Sequence, residues 1–325
     1  MRVTTLEAHV GGAAVRLVTS GLPTVEGSTM VERQQSFDDC CEALALRLTR
    51  EPRGHAGMVG VVLTPPEREQ AVAGMLFFDG FGSRAHSGHA AMGAVALALE
   101  HGLATLGGRG LEIDTVAGAC RVDVLSSRPG GACRVRYQGP PTAVLRANLA
   151  IPSTRRGLAA DLVWSGTELV AIVDGEAAGV PLATTHTLEL RRAARDLIAT
   201  IDALVTLTPP GHQGAAPVAA CAFVGPASRL DADVRLVLVR ADGSVSRSPS
   251  ASGSAAVATV LAAMTVHPPG SSRHESLAGT SWTTEVGGGA AGPMTVAITG
   301  DVVPTGSSEW LEAPDDPLTH GTPWV

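Results

Sequence analysis

Lysine is absent from this chain of 325 residues, and all 24 basic residues are arginine. That absence excludes two kinds of chemistry. A pyridoxal phosphate enzyme needs a lysine amine for its Schiff base, and a Walker-type phosphate loop needs one for its nucleotide. Any work on an amino acid is therefore expected to proceed without pyridoxal phosphate, and the cofactor expectation is none. Cysteine is scarce: Cys40, Cys41, Cys120, Cys133 and Cys221. An odd, scattered set without CxxC spacing argues against a disulfide framework and against a zinc site. Concentrated basic stretches are missing too, and the net charge is −7, so nucleic acid is not an expected partner. No apolar run of about 18 residues is available to span a bilayer. The opening residues carry neither the basic nor the apolar region of a signal peptide, which makes the cytoplasm the expected location.

What is present is a hydrophobic share of 45% against 17% charged residues. That balance and this length point to about two domains of ordinary size, each able to bury a core. Segments 1–9 and 14–19 read as a hairpin around Gly11-Gly12. The first helix is expected over 36–48, capped by Ser36, with Asp38 and Asp39 in its first turn. A strand follows at 58–63, then a helix at 89–100 made of small apolar residues on every side. Such a helix belongs at the centre of a domain. The second half repeats the theme. It has a strand at 169–173, an arginine-rich amphipathic helix at 186–204 and a strand at 234–239 with a turn at Asp242-Gly243. A second all-round apolar helix is expected at 254–264. From residue 295 the chain reads as strands and turns, punctuated by Gly300, Gly306 and Pro314.

Each apolar helix thus starts at a Ser/Gly-rich turn, Ser87-Gly88-His89 in one case and Ser250-Ala251-Ser252-Gly253 in the other. Two readings stand side by side. Serine is a favoured N-cap, and these are two ordinary caps. Alternatively, a buried helix start offers unpartnered N–H groups and the positive end of the helix dipole, so two of them can clamp one carboxylate. Side chains at 87 and 250 would then flank the ligand and handle a proton at the carbon beside that carboxylate.

A family resemblance covers nearly the whole chain. Glu51-Pro52-Arg53-Gly54-His55 resembles the EPRGHxDM signature of the proline racemase family, and Glu7-Ala8-His9-Val10-Gly11-Gly12 resembles its DxHTGGEP opening. Ser87-Gly88-His89 falls where the family has Cys-Gly-His. Asp161 and Gly166, with Ala171-Ile172-Val173-Asp174, are similar to its GGxFYAIVD strand. Arg247-Ser248-Pro249-Ser250, continuing to Gly253, falls on its DRSPCGTGT loop. His274-Glu275-Ser276 with Gly279, then Asp315-Asp316-Pro317, resemble its closing motifs.

The resemblance implies an α/β fold of two pseudo-symmetric domains of the diaminopimelate epimerase-like type, each a curved sheet around a central helix, with the active site in the cleft between them. The expected domains are 1–150 with a C-terminal return at about 298–325, and 151–297. It also implies proline-like substrates: proline racemisation, hydroxyproline epimerisation or trans-3-hydroxyproline dehydration. In the family a cysteine stands on each face of the ring, or a cysteine and a threonine in the dehydratases. Backbone N–H groups carried over to Gly88, His89, Ala251 and Ser252 would bind the carboxylate. The histidine at His89 and an aspartate before Arg-Ser-Pro would hold the ring nitrogen.

This chain departs from that pattern at informative places. Both cysteines are serines, Ser87 and Ser250. The aspartate is Ser246. The acid after His-Ala is Gly57, and the glutamate after Gly-Gly is Ala13. A serine hydroxyl is a far weaker acid than a thiol, so ordinary two-base racemisation is not expected. Without a carboxylate at 246, a ring ammonium loses its partner, and a pyrroline-like carboxylate with a more acidic C–H fits better. His89 is then either the base or only a hydrogen-bond donor to the ligand.

His86 and His89 read as structural or ligand-bonding rather than a metal pair, so no metal is expected. His9 and His55 are expected to line or brace the site, and Asp161 and Asp174 to fix strand ends. The site expectation is therefore Ser87, Ser250 and His89 as catalytic groups, with Gly88, His89, Ser246, Ala251 and Ser252 binding substrate. The partner is a small carboxylate, with no nucleic acid and no membrane, and a homodimer is left open. The rival function is a non-catalytic relative that binds a small carboxylate without turnover.

Overall fold

The computed structural model describes residues 2–103, 110–152, 157–265, 270–288, 294–313 and 315–322. The chain divides into two compact units, Met1–Tyr137 with Gly300–Val325, and Gln138–Thr299. Each is an α/β unit.

The first unit opens with β1 (Arg2–Val10) and β2 (Ala13–Ser20), then α1 (Met30–Thr49), β3 (Val59–Thr64), β4 (Ala73–Asp79) and β5 (Gly82–Arg84). It continues with α2 (Gly88–Glu100), β6 (Leu111–Thr115), β7 (Gly118–Ser126) and β8 (Cys133–Gln138). The β1–β2 hairpin turns at Gly11 and Gly12, both at positive φ (58° and 91°), as a two-residue hairpin loop requires. In the second unit come β9 (Ala143–Ala150), β10 (Ala159–Trp164), β11 (Leu169–Asp174), α3 (Gly175–Ala178) and α4 (Thr187–Leu204). They are followed by β12 (Val218–Gly225), β13 (Val234–Arg240), α5 (Ala251–Ala263), β14 (Ser271–Glu275), β15 (Ser281–Gly287) and β16 (Thr295–Leu311).

In the first unit the strands run β1-β2-β3-β4-β6-β7-β8-β16, and β16 returns to pair with β1 from Arg2↔Leu311 to Val10↔Val302. The sheet therefore closes on itself. Helix α2 packs against β1, β2, β3 and β7, strands spread around that ring, and so occupies its interior. The fit is close: a Cβ at Gly93 would stand 3.0 Å from three side-chain atoms of Val15. Helix α1 covers the outside, with Phe37, Cys41, Leu44 and Leu48 buried against Val3, Val18, Val62, Leu76 and Phe78. Strands covered on both faces need apolar residues at consecutive positions, which is why Met75-Leu76-Phe77-Phe78 shows no alternation.

The second unit follows the same plan in the order β9-β10-β11-β12-β13-β14-β15-β16. Its ends meet at a bridge between Thr142 and Met294, with N–H···O distances of 2.7 and 2.9 Å. Helix α5 packs against β9, β10, β11, β13 and β15, and α4 packs on β12 and β13. The period-2 rule sorts the two layers. Leu169, Ala171, Val173, Val237 and Val239 join the α4 core, whereas Val170, Ile172, Leu236 and Leu238 join the α5 core.

Three sequence expectations need correction. The first helix starts at Met30, not near Ser36: Thr29 caps it and forms a capping box with Glu32. Ser36 lies within the helix and accepts a hydrogen bond from the Glu26 N–H at 2.9 Å. After Met30 and Val31 the next five residues, Glu32 to Ser36, are polar and break the apolar periodicity, but the Thr-x-x-Glu signal was present. In the tail, Gly300 and Gly306 do not break the chain, because β16 is continuous over both. The irregularity is absorbed as a register shift between Glu7 and Ala8, opposite Gly306 and Pro304. The second apolar helix also begins earlier, at Ala251. Pro314 lies outside the described residues.

Buried polar groups hold the layers in place. Arg16 pairs with Glu7 at 2.9 Å, stacks on Trp310 at 4.4 Å, and donates to the carbonyls of Leu48 and Arg53. Glu275 accepts from the Ser228 N–H and hydroxyl at 2.6 and 2.5 Å and from the Arg229 N–H at 3.3 Å. Burial raises the Glu275 pKa, but those hydrogen bonds and Arg235 outweigh it and hold the carboxyl below the usual range. A depressed folded-state pKa stabilises the fold above the ordinary glutamate value and loses that contribution as pH falls. Glu275→Gln is thus expected to lower the melting temperature clearly at pH 7. The gap to the parent should shrink as pH drops below about 4.3, which thermal melts across a pH series will measure.

Candidate active site: two helix starts

Ser87 is the N-cap of α2 and Ser250 the N-cap of α5. Ser87, Gly88 and His89 belong to the first unit, and Ser246, Ser250, Ala251 and Ser252 to the second. The two starts are built differently.

At the first, Ser87 has extended backbone (φ −154°, ψ 106°), and its side chain makes no capping bond. Its carbonyl accepts the Ala91 N–H at 2.9 Å, which begins the helix. The N–H groups of the first turn have no acceptor within the helix. The buried Ser87 hydroxyl lies 3.3 Å from His89 Nδ1, a serine–histidine contact within one helical turn. Asp79, the one acid close in sequence, is engaged by the Phe81 N–H and Arg84.

Directly before Ser87 stands a buried polar relay that the sequence reading did not assemble. Thr115 donates to the Gly118 carbonyl at 2.6 Å, which leaves its oxygen to accept from His86 Nδ1 at 3.2 Å. His86 Nε2 lies 2.6 Å from the hydroxyl of Tyr137, the single tyrosine of the chain. Phe77 meets the His86 ring edge-on at 5.6 Å. Burial pushes the Tyr137 pKa well up, so its hydroxyl keeps its proton to donate. The only available signal was a lone tyrosine at an inward position of the alternating segment Cys133–Gln138.

At the second start, Ser250 has φ 63° and ψ 130°, a conformation that side chains rarely adopt. Its hydroxyl is already used: it accepts from the Gly253 N–H and contacts Ser252 Oγ, both at 3.3 Å. The Ser250 N–H donates to the fully buried Ser248 hydroxyl at 3.2 Å, and Ser254 Oγ donates to the Pro249 carbonyl at 3.2 Å. Ser246 donates its hydroxyl to the Ser248 carbonyl at 2.9 Å. That hydroxyl shapes the loop ahead of Ser250. Ala251 is buried and Ser252 half-buried. Arg247 has its basicity lowered by burial and then by the charge of Arg191.

The other expected residues have local tasks. His9 Nδ1 accepts from the Gly12 N–H at 3.4 Å across the hairpin turn, and His55 Nδ1 lies 3.0 Å from the Ala56 carbonyl. Asp161 accepts from the Asn148 N–H, and Asp174 caps α3 through the Ala177 N–H. Gly57 sits at φ 86°, which glycine adopts without steric cost. Among the described residues no group of three His, Cys, Asp or Glu side chains is placed to hold a metal ion, and no helix is long and apolar enough to cross a membrane.

A family model for proline racemase matches residues 5–323. The chain belongs to the proline racemase family. It is 27% identical to a trans-3-hydroxy-L-proline dehydratase of Bacillus cereus, over 98% of this chain and 97% of that protein. It is 25% identical to a proline racemase of Acetoanaerobium sticklandii, over 97% and 96% of the two chains. Among solved structures, the fold matches a hydroxyproline epimerase from Agrobacterium vitis with bound trans-4-hydroxy-L-proline (TM-score 0.83, 22% identity, 99% of this chain and 96% of that one). It also matches a probable proline racemase from Agrobacterium radiobacter with bound carbonate (TM-score 0.84, 23% identity, the same coverage). The two-domain proline racemase fold is thus the fold of this chain.

The backbone at Ser250 stores about 1–3 kcal/mol of strain, whereas exchanging a serine cap for glycine costs only a few tenths. Ser250→Gly is therefore expected to melt at or above the parent temperature. Ser250→Val, which keeps the strain and loses the cap, should melt several degrees lower in the same calorimetric scan.

Proposed function

We propose that this protein is a cofactor-independent proton-transfer enzyme acting next to the carboxylate of a proline-, hydroxyproline- or pyrroline-like substrate. Membership of the proline racemase family supports the reaction class, which spans isomerisation, epimerisation and dehydration. The observation that carries the reading is the contact between Ser87 Oγ and His89 Nδ1 at the start of a buried helix. In this reading the N–H groups of the α2 start, with those of Ala251 and Ser252, bind the carboxylate. The helix dipole offsets its charge. His89 takes the proton, directly or through Ser87, because imidazole is the side chain suited to this near neutrality.

The asymmetry of the two starts favours chemistry with one base. Among the described residues the hydrogen bonds of the Ser250 hydroxyl go to Gly253 and Ser252, so it serves the helix cap. A two-base racemase would need competent groups on both faces of the ring. Loss of water, or migration of a double bond, needs proton abstraction on one face only. An unsaturated or readily dehydrated ring therefore suits this arrangement better than proline itself. The missing carboxylate at Ser246 points the same way, since its hydroxyl is spent on the Ser248 carbonyl and offers an ammonium no charge.

Incubation in deuterium oxide with proline, trans-3- and trans-4-hydroxyproline and a pyrroline carboxylate tests the proposal by mass spectrometry of the recovered acids. Deuterium is expected beside the carboxylate of at least one of them or, where water is lost, at the neighbouring ring carbon of the unsaturated acid formed. Ser87→Ala and His89→Gln should each slow exchange by about 10²–10⁴-fold, the range for loss of a general base, and Ser250→Ala by less than about tenfold. Binding of these acids with no exchange in any of them would leave the rival reading, a carboxylate-binding relative without turnover.

A further inference from the structure

Outside the helix starts, a cluster of nucleophilic groups in α1 has a defined geometry. Cys40 and Cys41 are adjacent in α1, and their sulfurs are 3.2 Å apart. Neighbouring residues of a helix do not normally face each other, so both side chains turn inward on the pair. Cys40 is exposed, whereas Cys41 is buried in the core with Phe37, Leu44 and Leu48. Burial and then the contact with Cys40 push the Cys41 thiol up to about 12. It holds its proton at rest and stands in contact with the sulfur of its neighbour. An accessible sulfur with a second thiol in contact is the arrangement of an attacking and a resolving cysteine.

We propose that Cys40 and Cys41 form an oxidation site at which a peroxide-class oxidant closes a vicinal disulfide, opening α1 at its middle and loosening the segment that leads to Ser87. In the first step the Cys40 sulfur attacks the O–O bond of the peroxide. The peroxide leaves as the alcohol (water, for hydrogen peroxide), and Cys40 becomes a sulfenic acid. In the second step the Cys41 sulfur attacks the Cys40 sulfur, an S–S bond forms, and the hydroxyl leaves as water with the Cys41 proton. Two thiols lose two electrons and two protons, and the peroxide is reduced by the same amount.

The structural consequence follows from chain geometry. Adjacent Cα atoms across a trans peptide are fixed at about 3.8 Å, below the roughly 4.4–6.8 Å that a disulfide usually spans, so the bond closes only as a strained eight-membered ring whose backbone departs from regular helical geometry at Cys40–Cys41. What α1 braces makes this matter. Asp38 accepts from the Ser83 hydroxyl, and Arg50 Nε donates to the Gly80 carbonyl at 2.7 Å. Cys40 and Cys41 lie between those two braces, and α1 packs directly on β5 (Gly82–Arg84). Three residues beyond β5 stands Ser87. The site is independent of which reaction Ser87 serves.

The test treats the full chain with hydrogen peroxide at graded doses, alkylates free thiols and maps peptides by mass. Hydrogen–deuterium exchange of the same samples follows. The peptide carrying both cysteines is expected to lose two hydrogens and to regain them with dithiothreitol. Exchange should rise severalfold across 36–45 and 80–87. Cys40→Ser, an exposed change that leaves the core intact, should abolish both effects. Over-oxidation at Cys40 without an internal disulfide, a disulfide between two chains, or a closed disulfide with unchanged exchange at 80–87 would each overturn the proposal.

Discussion

Burying an apolar helix on every side is the constraint on which the rest of this structure depends. Helix α2 offers no polar face, with Ala90, Ala91, Met92, Ala94, Val95, Leu97 and Ala98 all buried. It is stable only if sheet surrounds it, and the ring of β1 to β8 closed by β16 supplies that surround. Strands in such a ring touch the helix with one face. Where α1 or α4 covers the other face, both must be apolar, and the unbroken hydrophobic runs follow. What the apolar interior leaves exposed to polar demand is the helix start. Its first N–H groups have no partner in the helix and cannot reach the sheet ladder. In the function proposed above a ligand carboxylate satisfies them, and the site would then follow from the fold's own hydrogen-bond deficit.

The two starts meet that deficit unequally. Serine at 250 accepts strain in its own backbone to turn its hydroxyl onto the Gly253 N–H. Serine at 87 leaves its helix uncapped and contacts His89. One start is internally satisfied and the other is held open beside a titratable ring. The proposed one-base chemistry rests on this inequality. The relay from Tyr137 through His86 to Thr115 stiffens the residue before Ser87, so the open start is also the rigid one.

Much of this was legible in the chain, and the misses have physical reasons. Gly11-Gly12 marked a hairpin because only residues tolerant of positive φ make that turn. The two core helices announced themselves by having no polar face. The start of α1 was hidden because the polar run Glu32 to Ser36 interrupts its apolar stripe, and the decisive residues were a Thr29–Glu32 capping box. Gly300 and Gly306 read as breaks, yet a long strand carries both, since a bulge opposite Glu7 takes up the irregularity. At the site, Ser87, His89 and Ser250 could be named from position. That Ser250 is strained and spoken for is a matter of backbone angles within 248–253, which residue types alone do not fix, and that His86 and Tyr137 meet depends on a contact between segments 51 residues apart, which no local pattern encodes.

The absence of lysine also has a structural counterpart. Where this fold needs a buried cation it uses the planar fork of arginine, which binds several carbonyls or a carboxylate at once. Arg16 joins Glu7, Trp310 and two carbonyls. Arg47 holds Glu312 and the Thr319 carbonyl, and Arg53 holds Asp316 and the Leu318 carbonyl. The segment 51–54, the most recognisable motif of the family, thereby works as a clip on the C-terminal segment, and a Cβ at Gly54 would collide with the Thr49 backbone. Such motif residues preserve closure of the ring. The serines at the two helix starts, with Ser246, Gly57 and Ala13, are where this chain departs from the pattern it resembles. A family match can therefore hold along the whole chain without fixing the side chains on which the proposed chemistry depends.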